Sequence, residues 1–282
     1  MSDQDNPARR NALRAGLAGI TGAALQAGAA GIASGAEKKG GKGEKVRYAE
    51  LLPSEFRKRL AEKPLAYLPL GTLEWHGEHL PIGSDAFQAE ALMVECARRY
   101  GGIVLPPIHI GPGPTKLMDD GRLLIGMDFW GDAVIPPRQL DGDCYWIPDG
   151  LFASMIDGIL AQCKRTGFRA VFADGHGPSR GSWVENLQER EARFGLKLFG
   201  VTKDIGGQWK SQVDHAGRNE TSLMMQLRPD LVDLAQLPPA RAMRPQGVAG
   251  EDPRDATASY GKECLQRSVE LVRQMFATAG LL

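Results

Sequence analysis

Cysteine is sparse in this chain: four residues, Cys96, Cys144, Cys163 and Cys264, with no CxxC pair among them. That spacing excludes both a disulfide framework and a thiolate zinc site as the organising chemistry. Net charge is also missing, because 34 Lys and Arg balance 34 Asp and Glu. A neutral chain offers no field to gather nucleic acid or an acidic membrane surface, so neither is expected as a partner. Internal repeats are lacking too. What the chain does have is enough length, 282 residues with 24% charged side chains, to bury one large core in a soluble globular domain. Cys96 and Cys163 fall within helical patterns, where buried thiols are common.

The longest uncharged run, Ala15 to Ala36, is rich in Ala and Gly and contains Gln26. It is poorly suited to a stable membrane-spanning helix, and no stable membrane anchor is expected. Arg9-Arg10-Asn-Ala-Leu13-Arg14 precedes it. A charged region, a weakly apolar region and small residues around Ser34-Gly35-Ala36 form the layout of a signal peptide, and the paired arginines resemble a twin-arginine export signal. Residues 1–36 are thus expected to be a leader that delivers an already folded protein to the periplasm. Residues 37–45 form a flexible charged linker, and residues 46–282 form the folded domain.

Leu70-Gly-Thr-Leu-Glu74-Trp-His76-Gly-Glu78-His79-Leu-Pro-Ile-Gly-Ser-Asp85 dominates that domain. It follows an apolar run, Leu65 to Leu70, that reads as a buried strand. Glu74 and His76 are two apart, so extended backbone points both to one face, a combination suited to a borderline-soft divalent metal. Pro81 and Gly83 then turn the chain so that Asp85, opening the next helix, can fold back.

Helices are expected from Ser54 (as N-cap) to Glu62, Asp85 to Tyr100, Pro148 to Thr166, about Ser182 to Phe194, from the stretch Asp214 to Ser222 through Leu227, and Ser259 to Ala279. Further strands are expected at Ile103–Leu105, Arg169–Ala173 and Leu196–Val201. Gly111 to Tyr145 shows no clean period and reads as a long functional loop. Strand–helix alternation predicts an α/β fold with a mostly parallel sheet covered on both faces. In such sheets ligands bind beyond the carboxyl ends of the strands. Three polar clusters belong there: Glu74/His76/Asp85, His176 in Asp174-Gly-His-Gly, and His215 with Glu220.

Two histidines (His76, His176) and three carboxylates (Glu74, Asp85, Glu220) are the inventory of a two-metal site, with Asp85 the economical bridge. Such metals acidify a water and polarise a carbonyl, which suits hydrolysis of an amide C–N bond. A proton must also reach the leaving nitrogen, and His215 is the candidate to carry it. His79 is expected to orient a ligand carboxylate from outside, Glu78 to be solvated, and Asp214 either to orient His215 or to lie on the surface.

Leu70-Gly-Thr-Leu-Glu-Trp-His-Gly-Glu-His-Leu-Pro with Asp85, Asp174-Gly-His-Gly, and His215-Ala-Gly-x-x-Glu220-Thr-Ser-Leu-Met resemble, in this order, the motifs of the creatininase (creatinine amidohydrolase) family. The resemblance spans about residues 46 to 235. It implies a three-layer α/β/α fold, two divalent ions (zinc or manganese, sometimes Fe²⁺), and a homo-oligomer, often a hexamer built as a trimer of dimers. It also implies that Glu74 and His176 hold one metal, His76 the other and Asp85 both. Members with creatininase activity carry a ligating carboxylate two residues after the histidine of the second motif. Here Pro178 stands in that place, which makes Glu220 the substitute ligand and points away from creatinine towards another small-molecule amide. The family also includes deformylating amidohydrolases and a peptide-processing enzyme.

Two rival readings start from the same residues. Gly177-Pro-Ser179-Arg-Gly181 fits the G-x-S-x-G elbow of serine hydrolases, with Asp204 or Asp214 and His215 following in order. A non-catalytic relative would bind metal without turnover. Export has its own test. Arg9→Lys with Arg10→Lys keeps the charge and removes the paired guanidinium groups. The double variant is expected to accumulate in the cytoplasm on fractionation, whereas native-like periplasmic yield would overturn the assignment.

Overall fold

The computed structural model describes residues 45–130, 135–240, 243 and 245–282. The twin-arginine leader and all but the last residue of the charged linker lie outside the described residues. Four parallel strands form the central sheet in the order β2-β1-β5-β6: β1 Leu65–Leu70, β2 Ile103–Val104, β5 Ala170–Gly175 and β6 Lys197–Phe199. A separate antiparallel hairpin pairs β3, Thr115–Leu117, with β4, Leu123–Ile125. Every residue of β1 and β5 is buried, as expected of strands covered on both faces.

The alternation of side chains along β1 and β5 divides the core in two. Leu65, Tyr67, Ala170 and Phe172 face α2 (Ser84–Tyr100) and α8 (Ala258–Thr278). Ala66, Leu68, Leu70, Val171 and Ala173 face α3 (Asp149–Thr166), with α1 (Pro53–Glu62) at its margin. Tyr67, Phe172 and Phe276 interlock with ring centroids 6.1–6.3 Å apart. Burial of each such aromatic contributes roughly 1.5–3 kcal/mol. The result is the three-layer α/β/α fold expected from the sequence, and no helix among the described residues is long and apolar enough to cross a membrane.

Proline in a central strand needs explanation, since it cannot donate to the ladder. The Pro69 carbonyl accepts from Ile108 N at 3.0 Å, so Pro69 turns its backbone towards the β2 side. Regular β2 pairing ends at Val104 and contact with β1 resumes at Ile108, whose carbonyl takes its donor from Gly71 N at 2.8 Å, so the proline sits where the ladder is interrupted. Immediately beyond, Gly71 lets α2 approach: a Cβ there would stand 2.6 Å from Ala86 Cβ and 2.8 Å from the Ile108 carbonyl. This close crossing carries Asp85, in the first turn of α2, over the end of β1.

Several expectations change in detail. α1 starts at Pro53, and the Leu52 N–H is satisfied by the Glu55 carboxylate at 2.8 Å rather than capped by Ser54. The segment expected to be loop up to Gly181 is already helical: α4 spans Gly177–Glu185 and α5 Leu187–Phe194. Pro178 fits there because it stands in the first turn, where its missing N–H is not needed. Within Gly111 to Tyr145, the hairpin and a 3-10 turn at Gly126–Phe129 give order that periodicity did not reveal.

The α7–α8 crossing gives a sharp test, α7 being Arg218–Leu227. Alanine normally gains about 1 kcal/mol over glycine inside a helix. At Gly261 of α8, however, a Cβ would lie 1.9 Å from the Ser222 carbonyl oxygen. Gly261→Ala is therefore expected to lose about 1–3 kcal/mol, read from urea or thermal unfolding. A midpoint unchanged or raised would disprove this backbone contact.

Candidate metal centre

The carboxyl ends of β1 and β5 open onto one cleft of about 590 Å³, whose lining includes Glu74, Asp85, His176, His215 and Glu220. Glu74 and His76 do not sit in extended strand; they lie in an irregular loop after β1. Loop bonds aim them instead. Glu74 N donates to the Ile82 carbonyl at 3.1 Å, and Trp75 N donates to Asp143 Oδ1 at 2.6 Å. The His76 Nδ1–H donates to the Glu74 carbonyl at 3.0 Å, which turns Nε2 inward to the cluster.

That Nε2 faces Glu220 Oε2 at 3.4 Å and Asp85 Oδ1 at 3.6 Å. His176 Nε2 faces Glu74 Oε2 at 3.6 Å. Three overlapping groups each gather ligand atoms within 4.8 Å: Glu74/Asp85/His176, His76/Asp85/Glu220, and Glu74/His76/His215. Asp85 is common to the first two. His76 Nε2 and Asp85 Oδ2 are buried and lack any hydrogen-bond partner. Buried polar atoms are normally paired, so lone pairs converging without a donor fit a divalent cation.

The electrostatics agree. Burial pushes the Glu74 carboxyl up to about 8, with Asp85 adding to it. Glu220 is raised well above the ordinary glutamate range, again by burial. His76 rises to about 10, because Asp85, Glu220 and Glu74 outweigh the burial that opposes its charge. Asp85 falls to about 2: burial would raise it, but His76 holds it down. Burial lowers His176 to about 4 and His215 to about 3, so both imidazoles stay neutral near pH 7 and keep a lone pair to offer.

Three of these side chains are oriented by partners the chain fixes. His176 Nδ1 meets Ser179 Oγ at 2.9 Å. His215 Nε2–H donates to the Trp75 carbonyl at 2.7 Å, so Nδ1 turns to the cluster, 3.8 Å from Glu74 Oε2. Glu220 Oε2 accepts the Ala216 N–H at 2.8 Å. Ser179 and the Trp75 carbonyl in these roles were not evident from sequence, because a backbone carbonyl leaves no signature and the serine read as a nucleophile.

Other expectations shift. His79 does not orient a ligand carboxylate; its Nε2 bonds Thr221 Oγ1 at 2.9 Å. Asp214 is neither on His215 nor idle: its carboxylate accepts the N–H groups of Asn219 and Glu220 at 2.8 and 3.1 Å, capping the start of α7. Glu78 is exposed, as expected. The serine elbow fails on geometry. Ser179 is fully buried and touches His176, not His215. Gly111 seals it, since even a Cβ there would stand 2.7 Å from the hydroxyl. Asp214 is committed to α7, and Asp204 pairs with Thr202.

Comparison with known proteins places this geometry in context. The family model described as creatininase, creatinine amidohydrolase, matches residues 49–129 and 138–276. The chain is 28% identical over 254 residues to creatinine amidohydrolase of Pseudomonas putida, covering 80% of this chain and 91% of that one. It is 27% identical over 238 residues to the mycofactocin precursor peptide peptidase of Mycobacterium ulcerans (strain Agy99), covering 73% and 82%. Among solved structures, a mutant creatininase described as Zn–Zn type superposes with a TM-score of 0.62 at 21% identity, covering 83% of this chain and 98% of that one. A manganese creatininase gives 0.60 at 22% identity over the same shares. With a family match that takes in both the Glu74–Asp85 loop and the His215–Glu220 segment, the chain belongs to the creatininase family of amidohydrolases.

Proposed function

We propose that the protein is a two-metal amidohydrolase in which Glu74, Asp85 and His176 hold one divalent ion and His76, Asp85 and Glu220 the other. The observation that carries this is Asp85, which belongs to both ligand groups while its second oxygen is buried without a partner. Zinc and manganese are the favoured ions, with Fe²⁺ also compatible with a nitrogen–carboxylate donor set. Ions held there supply Lewis acidity for polarising an amide carbonyl and acidifying a water.

The chain's own residues do the rest. His215 keeps its Nε2 proton on the Trp75 carbonyl and presents Nδ1 to the reacting centre, where it takes up a proton and passes it to the leaving nitrogen. Burial keeps the resting imidazole neutral, which makes the protonated form a strong acid. Met127, Trp130 and Pro114 give the cleft an apolar wall that shields the reaction from bulk water. Pro178 lines this cleft and cannot coordinate, and Glu220 reaches in from α7 to supply that carboxylate. We therefore favour a cyclic or linear amide other than creatinine as substrate. Export to the periplasm and assembly as a homo-oligomer belong to the same reading.

Metal content tests the ligand set. Protein purified with zinc or manganese is expected to hold close to two ions per chain by elemental analysis. Glu220→Gln should keep one, and Asp85→Asn should lose both; unchanged content in both variants would end the assignment. Glu74, at about 8, and His76, at about 10, carry protons in the metal-free chain at pH 7 and must lose them to coordinate. Metal uptake is therefore expected to acidify a weakly buffered solution, and affinity should rise with pH. Proton-neutral binding would contradict both shifts.

A screen of cyclic amides, formamides and short peptides addresses the reaction. Activity is expected to vanish with a chelator, return with Zn²⁺ or Mn²⁺, and fall about 10²–10⁴-fold in His215→Ala while metal content holds. A serine mechanism predicts the reverse: indifference to the chelator and an acyl-enzyme burst that Ser179→Ala removes. Metal uptake with no turnover across the screen would favour the non-catalytic reading.

A further inference from the structure

One cation stands behind the cluster without touching it. Arg180, in α4, donates from Nε to Asp174 Oδ1 and from Nη2 to Asp174 Oδ2 at 3.3 Å. The same guanidinium reaches across to the segment before α7, donating from Nη2 to the Ser211 carbonyl at 3.1 Å and from Nη1 to the Gln212 carbonyl at 3.2 Å. Gln212 continues the chain of contacts: its Nε2 donates to the backbone carbonyl of Asp85 at 3.3 Å. Gln212 is 94% shielded and has φ of +54°, a left-handed conformation that non-glycine residues rarely adopt unless their surroundings impose it.

These contacts join three segments that are remote in sequence. Asp174 is the penultimate residue of β5, two residues before His176, and Arg180 itself follows His176 by one helical turn. Ser211 and Gln212 lead directly into His215 and Glu220. Asp85 opens α2. We infer that Arg180 is a positioning residue that holds these three ligand-bearing segments in register, with Gln212 as its relay to Asp85. The planar fork is essential to this role. A lysine can neutralise Asp174, but it cannot also grip two carbonyls at fixed angles. The inference rests on the metal-centre reading for its functional meaning, while the clamp itself is a property of the backbone.

Arg180→Lys tests it, because the buried Asp174 keeps a countercharge and the fold is not asked to bury an unpaired carboxylate. Two readouts go beyond overall stability. Amide hydrogen exchange across residues 209–217, measured on metal-free protein, is expected to quicken at least about 10-fold in the variant while exchange in β1 and β5 is unchanged. Co²⁺ loaded in place of the native ion is expected to show a shifted visible spectrum and about 10–100-fold weaker binding, the usual effect of losing a group that orients ligands. Gln212→Leu removes the relay amide alone and should shift the Co²⁺ spectrum with less effect on exchange; it decides the matter should Arg180→Lys not fold. Native-like exchange, spectrum and affinity would overturn the clamp. Should the native chain take up no Co²⁺, the metal-centre reading falls, and the exchange measurement still decides whether Arg180 pins the segment.

Discussion

Lone pairs facing one another in a buried space are the constraint on which this structure turns. His76, His176 and His215 present ring nitrogens, and Glu74, Asp85 and Glu220 present oxygens, across gaps of 3.4–3.8 Å. Removed from water, such groups repel each other or take up protons, and the opposed shifts of Glu74 and Asp85 express that tension. Protons on Glu74 and His76 relieve it in part, and a divalent cation would relieve it in their place. On their outward sides the imidazoles are tied to the Glu74 carbonyl, Ser179 and the Trp75 carbonyl. That leaves the inward atoms free, an arrangement that orients ligands and fixes tautomers.

The fold supplies what this convergence needs. Parallel strands point the same way, so the loops after β1 and β5 emerge side by side, and Gly175 stands beside Leu70 in the register. The two carboxylates brought in by helices, Asp85 and Glu220, each lie in a first helical turn. A helix N-terminus favours negative charge, so these positions partly offset the cost of holding carboxylates together before any cation arrives.

Much of this was readable in the sequence. Glu74, His76 and Asp85 within one short segment, and glycine-flanked His176 after an apolar run, announced themselves by residue type and spacing. The parallel sheet followed from alternation of apolar runs with helical periods. Other features had no local signal. The start of α4 at Gly177, ahead of the expected Ser182, is one, because a first-turn proline and a loop proline are the same letter and only the backbone around Pro178 separates them. Ser179 matched a nucleophile pattern, but burial under Gly111, a residue 68 positions earlier, decides its role. Trp75 acts through its carbonyl, an atom common to every residue. Asp214, beside a key histidine in sequence, spends its oxygens on helix amides instead.

The backbone contact between Gly261 and Ser222 has a consequence for the order in which the molecule is made. Glu220 reaches the cluster from α7, and α7 is seated against α8, which extends to Thr278. A nascent chain therefore seats α7, and the Glu220 it carries, only once α8 has also been made, after the Glu74–Asp85 loop has emerged. If the site takes a divalent ion, as proposed, the compartment the chain occupies when α8 docks is the one whose cations would compete for it. The ion an enzyme of this build carries would then record where its folding ended, independently of where the enzyme later works.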